Sequence, residues 1–137
     1  MRGAQIVIHG DGETTRDFCF VENVIQANLL AATAPANAAG EVYNVAVGGS
    51  VSLNALAQML HDLVVERHPE LQVKPVVYSD FRPGDIRHSQ ADIQKAHRLL
   101  GFEPTHDVPE GLRLSMDWYE RNLGDTGRAH PDYAHLA

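Results

Sequence analysis

The chain has one cysteine, Cys19, in 137 residues, so an internal disulfide and a cysteine-built zinc site are both excluded. Lysine is almost as scarce: Lys74 and Lys95 stand against nine arginines. With a formal charge of −7 and no stripe of basic residues, a nucleic-acid or anionic-membrane surface is not the expected partner. No apolar run approaches the ~18 residues of a membrane-spanning helix, and the apolar stretch ending at Ile8 is too short for a signal peptide. The serine-hydrolase elbow Gly-x-Ser-x-Gly does not occur. The length fits one domain with a real core, and 44% hydrophobic with 21% charged residues is ordinary for a soluble chain, here expected to be cytoplasmic.

Patterning predicts an α/β fold, a small mixed sheet with helices, because strand-like and helix-like segments alternate. Ala4–His9 reads as a strand ended by the Gly10-Asp11-Gly12 turn, and Asp17–Phe20 as a second short strand after a hairpin. Val21, Val24, Ile25, Asn28, Leu29 and Ala32 have helical spacing within Val21–Ala34, which Pro35 stops. Glu41–Val47 reads as a buried strand ended by Gly48-Gly49. Ser52 is placed to cap a helix whose apolar face is Leu53, Leu56, Ala57, Leu60, Leu63 and Val64. Lys74–Tyr78 reads as a strand, Phe81–Ser89 as a loop, and Ala91–Leu100 as a helix closed by Gly101. A last helix, Pro109–Leu123, is expected to turn Leu112, Met116, Trp118 and Tyr119 inward. Residues 124–137 lack periodicity and read as a tail beyond the 1–123 domain.

Several motifs fail a chemical test. Gly10-Asp11-Gly12-Glu13-Thr14-Thr15 follows a strand, but it lacks a third glycine and sets two acidic residues where a phosphate would lie. Gly48-Gly49-Ser50 is better placed before a helix, yet a tight strand-to-helix turn is the favoured reading. His61 with His68, and His130 with His135, have no third ligand at a convincing spacing. Cys19, set among Phe18, Phe20 and Val21, reads as an inert thiol. Two arginine motifs remain, Thr15-Arg16-Asp17-Phe18 and Phe81-Arg82-Pro83-Gly84-Asp85-Ile86-Arg87-His88-Ser89. Each sets an Arg beside an Asp on a turn or strand end. An ion pair pinning a loop explains that as well as two guanidinium forks on a diphosphate with Asp85 on ribose hydroxyls.

Those two segments, with Tyr43-Asn44-Val45-Ala46-Val47-Gly48 between them and Glu110-Gly111-Leu112-Arg113-Leu114-Ser115-Met116-Asp117-Trp118-Tyr119 after them, occur in order. Together they resemble the C-terminal part of the extended short-chain dehydrogenase/reductase family, and most of all its bacterial UDP-N-acetylglucosamine 4-epimerases. The resemblance implies a family enzyme in which NAD sits in an N-terminal Rossmann half. There a Tyr base takes the 4-hydroxyl proton while hydride passes to NAD and returns to the other face of the sugar. It implies that Arg16 and Arg82 grip the UDP diphosphate, that Asp85 binds ribose, and that Ser89 lines the sugar pocket. A small side chain at position 89 leaves room for an N-acetyl group; the alternative role for Ser89 is capping the following helix. Phe18 stands where relatives often carry Tyr. The family's Gly-x-x-Gly-x-x-Gly loop and its Tyr-x-x-x-Lys pair do not occur in the chain: four residues after Tyr43, Tyr78, Tyr119 and Tyr133 come Val47, Arg82, Leu123 and Ala137. The expectation is therefore the UDP-sugar-binding part without the Rossmann half, no cofactor of its own, and no catalysis alone. A non-enzymatic UDP-binding or protein-association module is the alternative. The edge at Glu41–Val47, left uncovered, is expected to drive pairing with a Rossmann half or a second copy, giving a homo-oligomer.

Overall fold

A computed structural model describes residues 5–123, so the tail expected at 124–137 lies outside the described residues. Eight elements follow one another: β1 (Val7–His9), β2 (Thr15–Arg16), α1 (Val21–Ala32), β3 (Val51–Ser52), α2 (Leu53–Arg67), β4 (Val77–Ser79), α3 (Gln94–Leu100) and α4 (Val108–Leu123). The α/β class holds, with the strands divided between two small sheets. β1 pairs with β4 in parallel, Ile8 opposite Tyr78, and β2 pairs with β3 antiparallel, Thr15 opposite Ser52. The Gly10–Gly12 turn is therefore not a hairpin, because it carries the chain from one sheet to the other. No helix among the described residues is long and apolar enough to cross a membrane.

The helices follow their local chemistry. Ser52 caps α2, its hydroxyl accepting from the Ala55 amide at 3.1 Å. Gly101 ends α3 at φ 68°, a left-handed conformation that glycine adopts without steric cost. α3 starts at Gln94, later than the expected Ala91, with the Asp92 carboxylate accepting from the Gln94 amide. α1 and α3 meet across small side chains: Ala27, Ala38, Ala96, Leu100 and Phe102 form the buried cluster, with Leu30, Tyr43 and Val45 packed on it. At α1 the apolar stripe points the other way. Asn23 and Ala27 are its buried residues, whereas Val21, Ile25 and Leu29 are 59%, 50% and 65% exposed. Met116 of α4 is buried as expected, but Trp118 and Tyr119 lie on the exposed side, stacked edge to face on each other.

Two expected strands do not form. Asp17–Phe20 has no regular structure, the β2 ladder ending at Arg16. Glu41–Val47 is irregular too, with Val42 83% exposed. Side chains of distant residues take its backbone groups instead of a neighbouring strand. The Lys95 ammonium donates to the Val42 carbonyl at 3.0 Å and the Glu41 carboxylate at 2.8 Å, and lies over the Tyr43 ring. The Asp17 carboxylate accepts from the amides of Val47 (3.1 Å), Gly48 (3.1 Å) and Ala91 (3.2 Å), and the Gln90 side-chain amide donates to the Gly48 carbonyl. Asn23 plays the same part on the other side of α1. Fully buried, it accepts from the Thr105 and His106 amides at 2.9 and 3.1 Å and donates to the His106 carbonyl at 2.8 Å. Buried backbone groups away from a ladder need such partners.

Asp17 thus joins three segments far apart in sequence. Charge-assisted bonds of this kind each contribute about 1.5–3 kcal/mol, and they are not additive. Asp17→Ala is expected to lower unfolding free energy by about 3 kcal/mol in urea denaturation, with Asp17→Asn intermediate because one acceptor oxygen survives.

Candidate functional site

The site grows out of the two glycine turns and the loop 81–89. Gly10 and Gly12 have φ of 86° and 78°, and both are closely approached: a Cβ on Gly10 would run into the Phe81 ring, and one on Gly12 into the Asn54 side chain. Asn54, at the start of α2, fixes that turn by donating to the Asp11 carbonyl at 3.1 Å and the Glu13 carboxylate at 2.7 Å, while accepting from the Tyr78 hydroxyl. Arg87 closes the loop over it. Its guanidinium bonds Asp11 at 2.5 Å and lies 5.3 Å from the Phe81 ring centre, and it holds the Asp11 carboxyl below its ordinary pKa.

The loop then runs beside β2. The Thr15 amide donates to the Arg87 carbonyl at 2.8 Å, the Ser89 amide donates to the Thr15 carbonyl at 3.2 Å, and the Thr15 hydroxyl meets the His88 ring at 3.1 Å. Laid down in this register, Asp85 faces Arg16, and the two side chains pair at 2.5 Å. The other Arg16 terminal nitrogen donates to the Thr15 carbonyl at 2.8 Å. Arg82 and Asp85 line one open cavity of about 270 Å³ whose floor is apolar, from Ile6, Ile8 and Leu56 among others, with His9 at its wall.

All four residues singled out in the sequence thus fall on one stretch of surface. Arg16 touches Asp85, Arg82 shares a cavity with Asp85, and Ser89 is tied to the residue before Arg16. The pairing runs across the two motifs and not within either, since Asp17 faces away from Arg16 onto the backbone of 47, 48 and 91. Among the described residues Arg82 makes no ion pair, which leaves its guanidinium available beside the cavity. Ser89 does not cap a helix, because α3 begins five residues further on. The supporting residues Asp17, Asp11, Arg87, Thr15 and Asn54 were not singled out. Asp11, Thr15 and Asp17 sit beside a glycine or an arginine, whereas Asn54 and Arg87 have no such neighbour in the sequence.

Neither glycine turn suits a dinucleotide pyrophosphate. The space above Gly12 is filled by Asn54, acidic Asp11 and Glu13 flank it, and the Gly48 amide is already bonded to Asp17. Cys19 is half-buried, and desolvation pushes its thiol pKa up, which disfavours the thiolate. A second open cavity, about 470 Å³, lies by His61, Lys74 and Tyr78, away from the arginine pair. Among the described residues no three His, Cys, Asp or Glu side chains group as a metal site.

The chain is similar in sequence and fold to several known proteins. The family model described as GDP-mannose 4,6 dehydratase matches residues 1–115. A putative UDP-glucose 4-epimerase of Methanocaldococcus jannaschii is 33% identical over 116 residues, covering 85% of this chain and 34% of its own. The solved UDP-N-acetylglucosamine 4-epimerase of Methanobrevibacter ruminantium, in complex with UDP-N-acetylmuramic acid, superposes with a TM-score of 0.75 at 37% identity, covering 88% of this chain and 36% of that one. The UDP-glucuronic acid 4-epimerase of Bacillus cereus, in complex with UDP-glucuronic acid and NAD, gives 0.72 at 27% identity, covering 87% and 36%. The chain spans about a third of the length of the curated relatives it matches. With its fold, its ordered motifs and the match over residues 1–115 in agreement, the chain belongs to the extended short-chain dehydrogenase/reductase family, among its nucleotide-sugar epimerases and dehydratases, and corresponds to their C-terminal part.

Proposed function

We propose that residues 1–123 form the UDP-sugar-binding domain of a UDP-N-acetylglucosamine/UDP-N-acetylgalactosamine 4-epimerase, without epimerase activity as an isolated chain. The observation that carries this reading is a cavity lined by Arg82 and Asp85, with Arg16 bonded to that same Asp85. Two guanidinium groups supply the paired forks that a diphosphate accepts from, and a carboxylate beside them accepts the ribose hydroxyls. The apolar floor from β1 and α2 suits a flat base. Ser89 supports the choice of an N-acetyl sugar through its small size. NAD is the cofactor of the complete enzyme; among the described residues neither glycine turn fits its pyrophosphate, so hydride and proton transfer at the sugar are assigned to groups outside the described residues.

Calorimetric titration with UDP-N-acetylglucosamine and with UDP checks the assignment. Both are expected to bind, with binding lost in Arg16→Ala and in Arg82→Ala. Absence of heat with either ligand would contradict UDP recognition, and NAD released from the denatured protein would contradict a chain without its own cofactor site.

A second reading, association, is supported by α1. Its outward stripe of Val21, Ile25 and Leu29 is apolar over two turns, and Glu22 is the helix's one charged residue. Such a face is costly to leave in water, and no charge opposes its self-packing. We infer that two copies of the isolated chain pair through α1; with Glu41–Val47 irregular, strand addition there is not the route. Light scattering at micromolar concentration is expected to give a dimer that Ile25→Asp with Leu29→Asp converts to monomer, whereas a wild-type monomer would count against pairing.

A further inference from the structure

The two groups assigned to different parts of the ligand are bonded to each other. Arg16, proposed for the diphosphate, gives one terminal nitrogen to Asp85, proposed for the ribose, at 2.5 Å, and the other to the Thr15 carbonyl at 2.8 Å. The pair is about one-third exposed on each side (30% and 37%), so solvent and ligand reach it. We propose that the Arg16–Asp85 pair is a specificity device that couples the two halves of recognition, a reading that rests on the UDP-sugar site proposed above: a diphosphate can take Arg16 only at the expense of Asp85, and a ribose diol compensates Asp85 for the loss.

The physical argument concerns what each partial ligand leaves behind. An inorganic diphosphate that displaces Asp85 leaves a carboxylate without its cation and next to a second anion, an arrangement that like charge disfavours. A nucleoside without phosphate offers two hydroxyl donors to Asp85 but no anion to Arg16, so the ion pair has no reason to open. A nucleoside diphosphate exchanges both partners at once, carboxylate for phosphate on Arg16 and guanidinium for diol on Asp85. The loop around Asp85 favours side-chain rotation as the route. It is anchored after the turn by Arg87 on Asp11, by the Arg87 carbonyl on the Thr15 amide and by the Ser89 amide on the Thr15 carbonyl, and before it by the Gly10 amide on the Ser79 carbonyl. At the turn itself Asp85 follows Gly84, which is at φ 80° with open space around it. Arg82, without an ion pair among the described residues, is free to attract either anion and so does not discriminate between them.

The device predicts opposite effects of one isosteric substitution. In calorimetric titrations at one ionic strength, Asp85→Asn is expected to tighten inorganic pyrophosphate about fivefold, the scale of an exposed ion pair. The same substitution is expected to weaken UDP about tenfold or more, the scale of a bond to a charged acceptor. Asp85→Ser, a second variant that also removes the charge, is expected to repeat the gain. The gain is expected to vanish in the double variant Arg16→Ala with Asp85→Asn, and unchanged thermal melting of Asp85→Asn guards against a folding effect. If wild type binds UDP but neither variant gains on pyrophosphate, the coupling is overturned and the UDP site stands. If wild type binds no UDP yet both variants gain pyrophosphate, the ribose role of Asp85 is overturned while the masking of Arg16 holds. If wild type and both variants bind neither probe, both proposals fall.

Discussion

The Asp17 carboxylate is the constraint on which the rest of the structure leans. It gathers the amides of Val47, Gly48 and Ala91 onto the residue immediately after β2. The strands are two or three residues long, so inter-strand ladders hold little of the chain in place. Side chains that accept from backbone amides do that work instead, Asp17 on one side of α1 and Asn23 on the other. Removing an acceptor of this kind leaves several half-buried donors without their partner at once, which is why one carboxylate can matter more than a single apolar contact. Functional geometry inherits the same dependence. Arg16 precedes Asp17 directly and Ser89 lies two residues before Ala91, so the tether that orders the loops also sets the spacing of the site.

Position accounts for four of the nine arginines. Arg16, Arg67 and Arg87 each bond a carboxylate at 2.5 Å. Arg67 joins the end of α2 to α4 through Asp117 and Glu120, with His68 also on Glu120, so the histidine there packs into a structural network. Arg87 closes the loop 81–89, and Arg82 stands beside the cavity with no carboxylate of its own among the described residues. A flat fork that can bond two acceptors in one plane suits bracing helices and closing a turn, and the anion grip proposed for Arg82, in a way a lysine would not.

Helical spacing was readable from the sequence, and so were the stop signals: α1 and α4 lie within a residue or two of their expected bounds, α2 starts after its expected cap, and Ser52 and Gly101 act as their types dictate. What covers an apolar stripe was not readable. In α1 the periodic residues face outward while Asn23 and Ala27 face the core, because periodicity marks a face without naming its partner. Glu41–Val47 looked like a strand because its residues are apolar and β-branched. Its backbone partners are Asp17 and Lys95, at sequence distances no local pattern reports. The same limit applies at the site. Arg16, Arg82 and Asp85 stood out in their motifs and Ser89 through the family resemblance, but the bond between Arg16 and Asp85 spans 69 positions and crosses the two motifs, so short-range spacing could only pair each arginine with its own aspartate.

We infer that the tether on Asp17 helps present two arginines and a carboxylate as one nucleotide-sugar surface, on the Arg82 side of a wall of Ile6 and Ala57 shared with the cavity by His61 and Lys74. Following backbone amide signals of isotopically labelled protein during titration with UDP-N-acetylglucosamine tests it most directly. The account predicts shifts concentrated at Arg16, at residues 84–89 and along β1, with Asn23, Thr105 and His106 unmoved. Saturating ligand that shifts no signal, or shifts only those around His61 and Lys74, would contradict it.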